Sequence, residues 1–180
     1  MEQNNNDGRK KLILISGLIL IAALSRLFPH LDNFTPIGAI ALFGGTFISN
    51  KRLAFIIPLS AMLFSDILLQ VFYGTGFHNT MIFVYGAFLV ITSLGFLLRK
   101  RVQRQTIMVG SLVGSIIFFF ITNIGVWVTG YYGYSAAGLI ESLIAGIPFF
   151  RGTVMGDLVF NLVLFGSYSI IRWRFPVLIK

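Results

Sequence analysis

Cysteine is absent from the sequence, and charged residues are scarce. Asp, Glu, Lys and Arg together make up 11% of the 180 residues, whereas a soluble domain contains about 25%. Without cysteine the chain forms no disulfide and offers no thiolate metal ligand, and without a GxxxxGK loop it has no site built to hydrolyse a nucleotide. The shortage of charge indicates that most of the surface faces something other than water.

Apolar residues, in contrast, make up 56% of the sequence and form six long stretches. A helix needs about 20 residues to cross the hydrocarbon core of a bilayer. The stretches therefore predict an all-α membrane bundle of six transmembrane helices over residues 12–171, with tails at 1–11 and 172–180. The second stretch is short, so it must be inset among its neighbours or lie where the bilayer thins. The six predicted helices cover residues 12–28, 36–49, 53–72, 81–98, 106–128 and 152–171.

The basic residues lie on alternate connections between these stretches. Lys and Arg in short loops stay in the cytoplasm, so both termini are expected there, in a multi-pass protein of the cell membrane. The net charge of +8 comes in short clusters without a continuous basic face, so no nucleic-acid partner is expected. All 14 Lys and Arg except Arg26 and Arg151 fall within residues 9–11, 51–52, 99–104 and 172–180.

The start of the chain also allows a second interpretation. Basic residues, an apolar run and Ala23-Leu24-Ser25 together resemble a secretory signal with a small-x-small cleavage site. Whether residues 1–25 are removed stays open. Their removal would leave the orientation of the other five helices unchanged.

Strongly polar residues within the apolar stretches fall in the outer half of the predicted bundle. Asp66, Asn123 and Asp157 each lie about 8 to 9 Å below the outer end of their helix, and Asn161 follows Asp157 by one turn. Such residues in a bilayer face inward and usually serve a site, so we expect a polar cavity towards the outside. The alternative is that Asp66 pairs with Arg26, and Asp157 with Arg151, only to hold helices together.

The predicted outer loops are rich in aromatic and amide side chains. Trp127 and Tyr131 could belong to an aromatic belt at the membrane surface or stack on a flat ligand. Asn33 and Asn79 lie in two loops that could close over a bound molecule. Residues 135–147 carry an apolar stripe at helical spacing, which predicts a helix lying in the membrane interface.

Two further patterns have more than one interpretation. The small residues at Gly110-x-x-x-Gly114 and Ala41-x-x-x-Gly45 predict close helix packing, either inside the bundle or at a docking surface. Asp66 and Asp157 suggest an intramembrane aspartyl protease, but their surroundings do not match that family's motifs, so no enzyme activity is expected. His30 and His78 have no third ligand, so neither a metal site nor a cofactor is expected.

Four short motifs resemble the S components of energy-coupling-factor transporters, and more closely an uncharacterised bacterial family of putative transport proteins related to them. The motifs are NFTPIGA at 33–39, LFSD at 63–66, LLRK at 97–100 and MGDL at 155–158. The resemblance implies a vitamin or micronutrient pocket under the outer loops, a bacterial inner membrane and a shared transmembrane coupling subunit with ATPases. The first helix, however, carries Ser16-Gly17 and Ala22-Ala23 in place of the Ala-x-x-x-Ala with which S components commonly dock.

These observations together predict the substrate-binding membrane component of a small-molecule uptake transporter. The alternatives are a scaffold subunit of an envelope-assembly complex, which transports nothing, and a stand-alone carrier that uses Asp66 or Asp157 for ion coupling. The candidate substrate-binding residues are Asp66, Asn123, Trp127, Asp157, Asn161, Asn33, Asn79, Tyr131 and Arg151.

Overall fold

The computed structural model describes residues 2–175, with the side chains of residues 8–175, and every regular element among them is a helix. A short 3-10 turn at Ser25–Leu27 extends the first helix, and the predicted tail residues 176–180 lie outside the described part of the chain. The six α-helices are α1 (Glu2–Leu24), α2 (Ile37–Phe47), α3 (Lys51–Tyr73), α4 (Met81–Leu98), α5 (Arg104–Val128) and α6 (Ala136–Arg174).

Four of these helices, α3 to α6, are long and apolar enough to span a membrane. Helix α1 begins at Glu2, so the basic residues 9–11 lie within the helix, where the sequence had predicted a tail. The charge-free part of this helix is therefore limited to residues 12–24. Helix α2 has 11 residues, about 16 Å at 1.5 Å per residue, which is too short to cross a bilayer of about 30 Å alone.

Helix α2 lies at the centre of the bundle. All its residues from Ile37 to Thr46 are buried, and it contacts each of the other five helices. Its small residues permit this close packing: a Cβ on Gly44 would meet the Pro58 ring at 2.5 Å. Of the two explanations for a short second stretch, the structure therefore shows the inset helix.

Charged side chains from other helices lie at both ends of α2. The Asp157 carboxylate accepts from the backbone N–H groups of Ala39 and Gly38 in the first turn. At the other end, Arg99 donates to the carbonyl oxygens of Gly45 at 2.8 Å and Ile48 at 2.6 Å. A helix carries partial positive charge at its N-terminus and partial negative charge at its C-terminus, so both side chains complement the unpaired backbone groups of this buried helix.

The two stretches of small residues pack inside the bundle. Gly45 of α2 crosses Gly95 of α4, where a Cβ on Gly95 would lie 2.9 Å from the Gly45 Cα. Gly110 and Gly114 of α5 face Leu98 and Ile91 of α4 at 3.2 to 3.4 Å from the position of an added Cβ. These contacts favour internal packing over a docking surface for both stretches.

The predicted interfacial helix at 135–147 is continuous with the last helix. Ser135 caps α6 by accepting from the Gly138 N–H at 3.1 Å, and α6 then runs through Pro148 for 39 residues. Its first half packs along α5, because Ser142 donates to the Asn123 carbonyl oxygen at 3.1 Å. The small buried residues of this segment thus face a neighbouring helix, while the exposed Pro148 removes one backbone hydrogen bond without ending the helix.

The two ends of the bundle differ in charge. One cavity is lined by residues from three of the four basic clusters, namely Lys11, Arg99 and Arg172. Both described chain ends therefore lie at this end of the bundle, which we call the basic end. A second cavity lies at the opposite end, where Arg26 and Ile37 are found. Helix α2 lies between the two cavities: Ile37 lines one and Thr46 lines the other, and these residues are about 14 Å apart along the helix axis.

Candidate functional site

The cavity at the end opposite the basic end has a volume of about 460 Å³. Its walls come from the 3-10 turn, the loops before α2, α4 and α6, the first residue of α2, and helices α3 to α6. Three of its lining residues, Asn33, His78 and Phe149, are exposed, so the cavity reaches the molecular surface. The size lies within the roughly 300 to 1,000 Å³ typical of small-molecule sites.

An ion pair forms one corner of this cavity. Arg26 Nη1 lies 2.6 Å from Asp66 Oδ1 and donates to Ser65 Oγ at 2.6 Å, while the Tyr85 hydroxyl donates to Asp66 Oδ2 at 2.6 Å. Both carboxylate oxygens are therefore engaged, and the pairing that the sequence allowed for Asp66 is present. Nη2 and Nε of Arg26 make no hydrogen bond within the described residues. A bound molecule at this corner would therefore meet the N–H donors of Arg26, because the carboxylate of Asp66 is already engaged.

Asn123 supplies a second polar group from α5. Its Nδ2 donates to the Phe119 carbonyl oxygen one turn earlier at 2.7 Å, which orients the side chain and leaves Oδ1 without a partner in the described structure. Gly146 of α6 makes room for it, because any Cβ at that position would collide with the Asn123 amide. Asn123 therefore presents an acceptor to the cavity, and α6 accommodates it by carrying a glycine.

The remaining wall is mostly apolar and aromatic. Phe119 and Phe150 have ring centroids 5.1 Å apart, and Phe118, Val84 and Val126 add further apolar surface. Mostly apolar walls with a few oriented polar groups are the usual composition of ligand sites. The sequence prediction missed these residues, although Phe119 and Val126 share a face of α5 with Asn123 at helical spacing.

The loop residues predicted to cover the site divide into two groups. Asn33 lines the cavity, with a φ of 56° that asparagine tolerates better than most residues. Asn79 is exposed and does not line the cavity. Its neighbours His78 and Thr80 do line it, and their side chains lie 2.9 Å apart. The loop before α4 therefore contributes the residues beside the one predicted.

Asp157 and Asn161 lie outside the cavity lining, in a buried polar cluster between α5 and α6. Ser115 donates to Asp157 Oδ2 at 2.7 Å, and Asn161 Nδ2 donates to Ser111 Oγ at 3.0 Å. With the α2 amides on its other side, the Asp157 carboxylate connects three helices. Its position indicates a structural role.

The last three candidate residues lie around the rim and also outside the lining. Trp127 donates from Nε1 to the Ser135 carbonyl oxygen at 3.1 Å, which holds the start of α6 against α5. Tyr131 is 79% exposed and contacts Tyr132, which does line the cavity, with ring centroids 4.9 Å apart. Arg151 is exposed and makes no ion pair with Asp157, so the second of the two predicted pairs is absent from residues 8–175.

Comparison with known proteins identifies a family. A family model described as a family of unknown function, DUF6580, matches residues 6–178, so the chain belongs to this family. The match establishes no connection with the S components, and that resemblance stays a prediction. No curated protein and no solved structure matches the chain.

Proposed function

We propose that this member of the DUF6580 family is the substrate-binding membrane component of an uptake transporter for a small organic molecule, such as a vitamin or related micronutrient. The observation that carries the proposal is the cavity of about 460 Å³ at the end opposite the basic end. Its aromatic wall, with polar groups at one corner and on α5, has the composition of a site that buries a small molecule.

The proposed orientation has six crossings of a bacterial inner membrane with both termini in the cytoplasm. The basic clusters support it, since Lys and Arg in short loops stay on the cytoplasmic side and Lys11, Arg99 and Arg172 line one cavity. Helix α1 runs from this cavity at Lys11 towards the other cavity at Arg26. In this orientation the ligand cavity opens to the outside.

The geometry suggests how a ligand would be bound. The free N–H groups of Arg26 would donate to a carbonyl or carboxylate oxygen, and Asn123 Oδ1 would accept from an N–H or O–H group of the ligand. Phe118 and Phe119 would contact a flat apolar face. Asp66 would act through Arg26, whose charge it balances and whose guanidinium it positions.

Energy for uptake would come from partners. The sequence has no nucleotide-hydrolysing loop, and the resemblance to S components implies a shared transmembrane coupling subunit with ATPases. A stand-alone carrier needs a carboxylate that gains and loses an ion. Asp66 is occupied by Arg26 and Tyr85, and Asp157 by Ser115 and the α2 amides, which favours the partner-driven alternative.

A thermal-shift screen tests the proposal. Purified protein would be heated with a panel of vitamins and their precursors, and a ligand at about 100 times its Kd would add about 2.7 kcal/mol of stability. We expect at least one compound class to raise the melting temperature, and Asn123→Ala to reduce that shift. Asn79→Ala is the matched control, because Asn79 is an exposed asparagine outside the cavity lining.

Two results would count against the proposal. One is a panel in which no compound shifts the melting temperature and no small molecule copurifies. The other is an equal loss of the shift in Asn123→Ala and Asn79→Ala, which would mean that the compound binds elsewhere.

A further inference from the structure

The cavity at the basic end has a volume of about 450 Å³ and collects positive charge. Lys11, Arg99 and Arg172 line it together with the hydroxyl-bearing residues Thr46, Ser49 and Tyr168, and none of the described residues that line it is acidic. Lys11 is half-buried and Arg172 is exposed, so these like charges repel each other and attract an anion to the cavity.

Arg99 has partners within the fold, whereas the other two cations have none in the described structure. Its guanidinium donates to carbonyl oxygens at the end of α2, at 2.6 to 3.2 Å. Lys11 and Arg172 make no hydrogen bond or ion pair with any residue in the range 8–175. Both side chains line the same cavity, and burial, followed by the positive charge of Arg172, lowers the pKa of Lys11 from its ordinary value.

Tyr168 adds an uncharged donor beside these two cations. Its side chain is 3% exposed, its ring packs on Phe47 with centroids 4.1 Å apart, and its hydroxyl has no hydrogen-bond partner among the described residues. Tyr168 and Arg172 are four residues apart on α6, so they share one face of the helix. The hydroxyl is not among the buried side-chain atoms that lack a partner in the described residues, so it is accessible from the cavity that Tyr168 lines and can donate to a bound group.

We propose that this cavity binds a phosphate group, held by Lys11 and Arg172 with a hydrogen bond from the Tyr168 hydroxyl. Phosphate offers several acceptor oxygens to a guanidinium, an ammonium and a hydroxyl at once, and its negative charge removes the repulsion between the two cations. The volume admits a free phosphate compound or the headgroup of an anionic phospholipid. This site is separate from the ligand cavity at the other end and does not depend on the function proposed for it.

The test uses the full chain in nanodiscs of phosphatidylcholine, with thermal unfolding followed by tryptophan fluorescence. One arm adds inorganic phosphate and compares it with potassium chloride at equal ionic strength. The other arm replaces part of the phosphatidylcholine with phosphatidylglycerol. The variants are Lys11→Gln/Arg172→Gln and, as the matched control, Lys51→Gln/Arg52→Gln, which removes two exposed charges outside the cavity lining.

We expect Lys11→Gln/Arg172→Gln to fold, because it removes repulsion, and to weaken the phosphate-dependent or phosphatidylglycerol-dependent stabilisation by about tenfold or more in apparent affinity, as expected when two charge-assisted contacts are lost. Tyr168→Phe, which keeps the ring, should weaken it less. A response in the first arm identifies a soluble phosphate compound as the ligand, and a response only in the second identifies the lipid headgroup. Stabilisation in neither arm overturns the proposal, as does an equal loss in the control variant.

Discussion

Arg26, Asp66 and Tyr85 form one hydrogen-bonded unit at the corner of the ligand cavity. The side chain of Asp66 is 4% exposed and that of Arg26 is 12% exposed, so each charge depends on the other. Removing one partner of such a pair costs far more than the pair itself contributes, because the remaining charge stays buried without compensation.

Asp66→Asn is therefore expected to lower the free energy of unfolding by about 3 kcal/mol. Adding Arg26→Gln to Asp66→Asn should recover part of this loss, because the double variant carries no unpaired charge. Chemical denaturation in detergent measures the unmodified protein, Asp66→Asn, Arg26→Gln and the double variant in one double-mutant cycle. A double variant whose loss equals the sum of the two single losses would show that Arg26 and Asp66 do not depend on each other.

The structural role inferred for Asp157 can be tested by two substitutions. Asp157→Ala removes the acceptor for Ser115 and for the first turn of α2, and should cost about 1 to 3 kcal/mol. Asp157→Asn keeps one acceptor oxygen and should cost less, with ligand-induced shifts preserved in both variants. Loss of ligand binding in a stable Asp157→Asn protein would place Asp157 in the binding site after all.

Asp66 and Asp157 show which features of the site can be predicted from the sequence. Position along a helix predicts depth in the membrane, and it places Asp66, Asn123 and Asp157 at similar depths below the outer ends of their helices. Depth does not determine the direction in which a side chain points around the helix axis. Asp66 and Asn123 face the cavity, whereas Asp157 faces the end of α2, and this difference depends on long-range packing that a single sequence does not encode in any local pattern.

Among the helices, α2 and α4 cross with their backbones in close contact at Gly45 and Gly95. Gly95→Ala would place a Cβ 2.6 Å from the Leu42 carbonyl oxygen, and backbone atoms cannot move aside as a flexible side chain can. We expect a loss of about 3 kcal/mol, at the upper end of overpacking costs. Gly86→Ala, in the same helix with nothing within 4 Å of the added atom, should be neutral or stabilise by about 1 kcal/mol.

Thermal melting of the two alanine variants side by side checks this prediction. Equal melting temperatures for Gly95→Ala and Gly86→Ala would mean that the two helices do not approach each other as closely as described.

Helix boundaries are predicted closely for α3 and α4 and poorly for the first and the last helix. The prediction of 81–98 agrees with α4, and the bounds predicted for α3 differ from the observed ones by two residues at most. The sequence predicts an interfacial helix at 135–147 and a separate last span at 152–171, whereas the structure has one helix, Ala136–Arg174. Pro148 is exposed, and Gly146 and Phe150 on either side of it contact Asn123 and Phe119 of α5, so the helix continues through it.

At the scale of the whole molecule, the charge asymmetry predicts the topology. The sequence has no cysteine, so single cysteines can be introduced at Thr75, beyond the end of α3, and at Gln105, at the start of α5 near the basic end; both positions are exposed. An impermeant maleimide added to intact cells should label Thr75→Cys and should label Gln105→Cys only after the cells are opened. The reverse pattern would invert the orientation and place the ligand cavity on the cytoplasmic side.

We propose that the cavity at the end opposite the basic end holds a small molecule. Native mass spectrometry of detergent-purified protein detects such a molecule, with Ala145→Phe as the variant that fills the cavity and Ala137→Phe as the matched control on an exposed position of the same helix. We predict a bound small molecule on the unmodified protein and on Ala137→Phe, and its absence from Ala145→Phe. The same bound mass on all three proteins, or on none of them even after incubation with the vitamin panel, would show that this cavity does not bind the small molecule.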